Sequence, residues 1–122
     1  MPEEIQGKLD EFLNNETSIG LELRDKGLTL GQLCQVIRSI EKAVKLTKLK
    51  GLNLFKSKLP ILPESIGNLM VLKILNIRNN TLTELPQSFG NLTALETLAL
   101  FFNQLNEEQK IAIRTQFPFV MF

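Results

Sequence analysis

Phe55, Arg78 and Phe101 stand at intervals of 23 residues, an aromatic, a guanidinium and an aromatic in turn, and Phe102 follows directly. Side chains of these kinds do recognition chemistry rather than bond breaking. A guanidinium over an aromatic face gains about 0.5–1 kcal/mol at an exposed site. Arginine and aromatic residues are also enriched where protein interfaces concentrate their binding energy. Residues that could break bonds are scarce. The chain has no histidine, which removes the commonest general base and the commonest metal ligand. Its single cysteine, Cys34, falls on the apolar side of a helical pattern and reads as a buried structural thiol, with no histidine to activate it. Glu107 and Glu108 form a carboxylate pair, but they follow Asn106 as a helix first turn would, where the helix dipole accounts for them. Gly67 and Gly90 are turn glycines, since no Lys-Ser or Lys-Thr follows to complete a phosphate loop. Asn79-Asn80-Thr81 and Asn91-Leu92-Thr93 match glycosylation sequons but read as coincidences of a recurring pattern. Lys42, Lys45, Lys48 and Lys50 read as a solvated face, with an acidic-partner site as the alternative. No catalytic, cofactor-binding or metal-binding residue is assigned, and the chain is read as a non-enzyme.

The elements that position these residues repeat. LKGLNLFKSKLPILPESIGNLMV (49–71) and LKILNIRNNTLTELPQSFGNLTA (72–94) align without a gap, and LETLALFFNQL opens a third copy at 95. The pattern L-x-x-L-x-L-x-x-N-x-L recurs, as in Leu72, Leu75, Ile77, Asn80 and Leu82 and again in Leu95, Leu98, Leu100, Asn103 and Leu105. The alternation Leu75/Ile77 has period two, so a short strand sends those side chains inward and their neighbours outward. One copy cannot bury its own leucines, so copies stack and share a core. An earlier copy fits at a spacing of 31, with Leu21, Leu23 and Leu28 matching Leu52, Leu54 and Leu59, and Lys26 at the asparagine place. Its extra length reads as a helix over 30–45, with apolar positions 30, 33, 34, 37, 40 and 44. Ser57 occupies the asparagine place of the 49–71 copy. A hydroxyl replaces only part of an amide's bonding, so a looser turn is expected there.

This pattern resembles the leucine-rich repeat family over residues 49–105, and its L-P-E-S-I-G-N-L and L-P-Q-S-F-G-N-L halves are similar to the short-period bacterial and Ras-group types. The resemblance implies an α/β solenoid with a parallel sheet on its concave side, short turns or 3₁₀ pieces in the 23-residue repeats, and a job in binding protein. About four turns are expected, with helical caps at both ends. Residues 1–122 read as one repeat domain, divided into an N-terminal cap (1–17), repeats (18–105) and a C-terminal cap (106–122). The first cap is a helix over 3–14 with Ile5, Leu9, Phe12 and Leu13 on one face. The second is a helix to about Gln116 with Ala112, Ile113 and Phe117 turned inward, ended by Pro118, and then a terminal strand over Phe119–Phe122.

The register predicts four outward columns. They are Gly20/Gly51/Ile74/Thr97, Glu22/Asn53/Asn76/Ala99, Arg24/Phe55/Arg78/Phe101 and Asp25/Lys56/Asn79/Phe102. Nothing in the leucine ladder demands an outward phenylalanine. Phe55, Ile74, Arg78, Phe101 and Phe102 are therefore read as a partner-binding patch, with a column that merely stacks upon itself as the alternative. A net charge of +1 offers no broad field for nucleic acid or lipid, and no apolar run reaches the ~20 residues of a membrane span. The expected partner is a protein, with weak homo-oligomerisation through the apolar FPFVMF edge as a rival and an exported effector acting through its partner as another. A lone cysteine and an acidic, amphipathic N-terminus point to the cytoplasm, with export left open.

Overall fold

The computed structural model describes all residues, Met1–Phe122. Four three-residue strands arise where the repeat pattern alternates: β1 (Gly20–Glu22), β2 (Gly51–Asn53), β3 (Ile74–Asn76) and β4 (Thr97–Ala99). They form one parallel sheet in the order β1-β2-β3-β4. The register is the one the sequence dictates: Leu21, Leu52, Leu75 and Leu98 are mutual partners along the sheet and all are buried. Behind them a single apolar cluster runs the length of the molecule. At about 1.5–3 kcal/mol for a fully buried leucine, this ladder dominates the favourable side of folding.

Three helices and three 3₁₀ turns complete the coils. Helix α1 (Glu3–Asn14) buries Ile5, Leu9 and Phe12 beside β1. Helix α2 (Leu30–Lys42) fills the longer first repeat and starts on a capping box between Thr29 and Gln32. Short 3₁₀ turns at Leu46–Lys48, Glu64–Asn68 and Gln87–Asn91 close the remaining coils. Helix α3 (Glu107–Gln116) starts at Asn106, whose side chain accepts from the Gln109 N–H at 2.8 Å. It buries Ile113 and is followed by buried Phe117, whose ring meets Phe89 edge-on at 5.6 Å.

Several expectations need correction. Helix α2 stops three residues early, because Val44 turns left-handed (φ 56) and the Lys45 N–H reaches back to the Ile40 carbonyl at 3.0 Å, the 6→1 bond of a Schellman ending. Its buried face is Leu33, Val36, Ile37 and Ile40. Leu30 and Cys34 are only half-buried, and Val44 is 85% exposed. Ala112 is exposed, since α3 leans on the core through Ile113 alone within its span. The terminal strand shrinks to one bridge residue, Met121 beside Ala99. A turn from Val120 N–H to the Phe117 carbonyl uses up the preceding residues.

The asparagine ladder is the main polar device. Buried Asn80 accepts from the N–H groups of Ser57 and Leu59 at 3.1 and 2.9 Å and donates to the carbonyls of Leu54, Ile77 and Arg78 at 2.9, 3.2 and 3.2 Å. Asn103 repeats the arrangement one coil later, accepting from Leu82 N–H and donating to Ile77, Leu100 and Phe101 carbonyls. Each amide therefore stitches its own turn to the coil before it. Ser57 cannot do this, and its Oγ is buried without a partner.

Candidate functional site

The outward residues of the strands make one face, and the backbone fixes them in rows; the exception is Ala99, expected outward but buried where the chain end bridges to it through Met121. Main-chain pairing runs past the strands proper. The N–H groups of Asp25, Lys56 and Asn79 donate to the carbonyls of Phe55, Arg78 and Phe101 at 2.9, 3.0 and 2.9 Å. This holds the arginine and phenylalanine column in register across coils. The second column anchors it from within. Side-chain oxygens of Glu22, Asn53 and Asn76 accept from the N–H groups of Arg24, Phe55 and Arg78 at 3.3, 2.9 and 3.1 Å. These are two-residue Asx-type turns. Ala99 has no side-chain oxygen for this task, so the last coil presents Phe101 without it.

Arg78 lies over the Phe55 ring with its central carbon 5.0 Å from the centroid, while its Nε donates to Asn76 Oδ1 at 3.2 Å. The expected alternation of plates stops there. Arg24 turns to Glu22 instead, at 3.5 Å. Phe101 leans on Phe102, with ring centroids 6.4 Å apart and planes tilted by 43°. Phe55, Arg78 and Phe101 are half-buried. Ile74 remains 52% exposed and Phe102 80% exposed. Part of the column covers itself, and part faces solvent.

The fourth column has a shared conformation that periodicity did not announce. Asp25, Lys56, Asn79 and Phe102 all lie at positive φ, between 50 and 58°. Asparagine tolerates this region well, whereas a bulky aromatic there is an outlier. Phe102 is thus both strained and bare.

The first outward column holds a second feature, which its register alone did not mark as a site. Gly20 and Gly51 are register partners on β1 and β2, and they floor an open trough of about 360 Å³ lined also by Glu22, Asn53, Ile74 and Asn76. Neither glycine has a positive φ, and a Cβ would meet only ordinary contacts, Gly51 O at 3.7 Å from one and Gly20 Cα at 3.8 Å from the other. The same column carries Ile74 and Thr97 in later coils. The fold has room for a Cβ at both positions and goes without one. Glycine in a strand weakens it, and often marks where another group approaches closely. Two glycines in one outward column were the available signal.

The lysines of the 42–50 stretch divide. Lys48 is structural: its Nζ donates to the carbonyl of Asn15 at 2.6 Å and to that of Phe12, and it lies over the Phe12 ring at 4.6 Å. It therefore closes the C-terminal end of α1, where cations are favoured. Lys26, at the asparagine place of the first repeat, pairs with Glu4 of α1 at 3.7 Å. No helix is long and apolar enough to cross a membrane.

Comparison with known proteins agrees with this geometry. A family profile described as a leucine-rich repeat region matches residues 28–109. No match to a curated protein was found. Among solved structures, a leucine-rich repeat protein of Leptospira interrogans is similar, with 36% identity and a TM-score of 0.60 over 66% of this chain and 21% of that one. This chain thus spans about a fifth of that protein's length. Repeating leucines in register, an asparagine ladder, a parallel concave sheet and a profile match over more than half the residues lead to one conclusion: the chain belongs to the leucine-rich repeat family.

Proposed function

We propose that this chain is a non-catalytic recognition module that binds another protein through its concave face, using Phe55, Ile74, Arg78, Phe101 and Phe102. The observation that carries the reading is Phe102, an aromatic ring 80% exposed and held at φ 58. The left-handed turn recurs in every coil; what sets Phe102 apart is that a bulky aromatic occupies it and gains no burial in return. The neighbouring Phe101 and the exposed Ile74 extend the apolar surface. Leucine-rich repeat proteins generally serve as interaction scaffolds rather than enzymes, which is consistent with this assignment. Four strands span roughly 15–20 Å, so the contact area is modest and micromolar affinity is expected. A cytoplasmic setting belongs to the same proposal, because one unpaired cysteine asks for no oxidising compartment.

Self-assembly through the C-terminal edge is the weaker reading. Met121 already spends its N–H on the Leu98 carbonyl and its carbonyl on the Leu100 N–H, which leaves little free edge to template a second copy. Light scattering across concentration separates the two readings. The direct test is affinity capture with wild type beside Phe101→Asp. Loss of the captured partner with an unchanged urea midpoint is expected; full capture by the variant refutes the assignment.

A further inference from the structure

Resting on the concave-face reading, we infer that the bound segment is acidic, a net-negative stretch of protein chain with an aromatic or aliphatic anchor. The overall charge of +1 hides a segregation. Residues 49–94 carry five basic side chains, Lys50, Lys56, Lys58, Lys73 and Arg78, against two acidic ones, Glu64 and Glu84. The rest of the chain carries nine basic and eleven acidic residues, so the positive excess belongs to the middle repeats alone. The register then sorts those charges. Lys50 and Lys73 directly precede β2 and β3, while Lys56, Lys58 and Arg78 follow them closely. Lysines therefore precede and follow the central strands along the chain, outside the residues that line the trough. Glu64 opens the 3₁₀ turn Glu64–Asn68 and Glu84 precedes the next one, away from the strands.

The four lysines among these cations enter no ion pair, while Arg78 is engaged by the Phe55 ring and by Asn76. The ion pairs of the molecule join Lys8 to Glu11, Arg24 to Glu22, Lys26 to Glu4 and Lys110 to Glu107, and none uses the five. The floor of the trough is neutral, formed by Gly20, Gly51, Asn53, Ile74 and Asn76. The one acid lining it, Glu22, is already held by Asn53 at 3.0 Å and by Arg24. Exposed Asp25 beyond β1 and Glu96 before β4 mark the limits of the positive zone. Lysines free of ion pairs, clustered in the coils that carry the trough, concentrate negative charge near it, and like-charged partners are rejected there. The occupant also has to cover Ile74 and Phe102, which a nucleic-acid backbone would leave exposed. An acidic peptide satisfies both demands.

The test is selection of short random peptides displayed on phage against the immobilised full chain, followed by titration of the enriched peptides. Net-negative peptides containing Phe, Leu or Ile are expected. A variant with Lys50, Lys56, Lys58 and Lys73 all changed to Gln should bind them roughly tenfold more weakly, and added salt should weaken wild type in the same direction. Enrichment of neutral or basic peptides that Phe101→Asp no longer binds would overturn the acidic inference while sparing the concave face. Acidic peptides indifferent to both Phe101→Asp and Phe102→Asn would overturn the concave-face reading and the inference with it, as would no enrichment at all. A labelled oligothymidylate that binds more tightly than the selected peptides would overturn the inference in favour of nucleic acid.

Discussion

Asn80 and Ser57 hold equivalent places one coil apart and meet opposite fates. Asn80 is buried and makes five hydrogen bonds to two coils. Asn80→Ala strands several buried main-chain groups, so a loss of roughly 1–3 kcal/mol is expected in chemical denaturation. Ser57 is equally enclosed, but its Oγ has no partner. Removing an unsatisfied buried hydroxyl costs little, so Ser57→Ala should be neutral or stabilising by up to about 1 kcal/mol. A clear fall in the urea midpoint of that variant would contradict the ladder as described. The asparagine role was legible in the sequence, as was the inability of the Ser57 hydroxyl to copy it, because both follow from what an amide and a hydroxyl can donate and accept. The left-handed backbone at Phe102 was not. Periodicity gives the side of the sheet on which a residue lies, but it does not give φ.

At the scale of elements, coil-to-coil contact decides which small residues are obligatory. A Cβ on Gly67 would fall 2.6 Å from both the Cβ and the carbonyl oxygen of Ser88 in the next coil. Ser88 is itself pinned, donating from Oγ to the Glu64 carbonyl at 2.6 Å. A Cβ on Gly90 meets only the flexible amide end of Gln116, at 2.9 Å. Gly67→Ala should therefore destabilise by about 1–3 kcal/mol, and Gly90→Ala by much less, in parallel urea titrations. Equal midpoints for the two would sink this account of the stacked turns. The sequence presents the two glycines alike, in copies of one motif, and only the neighbour each one touches separates them. Helix α2 teaches a related lesson. Its existence was readable from apolar spacing, yet the end at Lys42 depends on a left-handed Val44, a conformation that β-branched residues disfavour. Lys48 was read as solvated because its partners are the carbonyls of Phe12 and Asn15 at the end of α1, more than thirty residues away. Distant main-chain acceptors leave no mark in local composition.

On the scale of the whole molecule, the solenoid couples each coil to its neighbours alone, and the register that lines up the leucines also lines up the concave face. Fold, strand order and outward columns were all legible for that reason. The trough over Gly20 and Gly51 was not, because the column gives the two glycines' register but not the open space that their missing side chains leave between neighbouring strands. The central claim is that this face keeps residues the fold would rather exchange. Gly51→Val gives β2 a β-branched residue like Ile74 in the same column, and Phe102→Asn copies Asn79 in the fourth; each should stabilise by roughly 0.5–1 kcal/mol. Val44→Gly should stabilise similarly by relieving a left-handed residue that lies off the sheet. The most direct measurement is partner capture by wild type, by the Gly51→Val/Phe102→Asn double variant and by Val44→Gly, with urea midpoints taken on the same preparations. The account predicts higher midpoints for both variants and lost capture for the double variant alone. Full capture by the double variant, or lost capture by Val44→Gly, would contradict it.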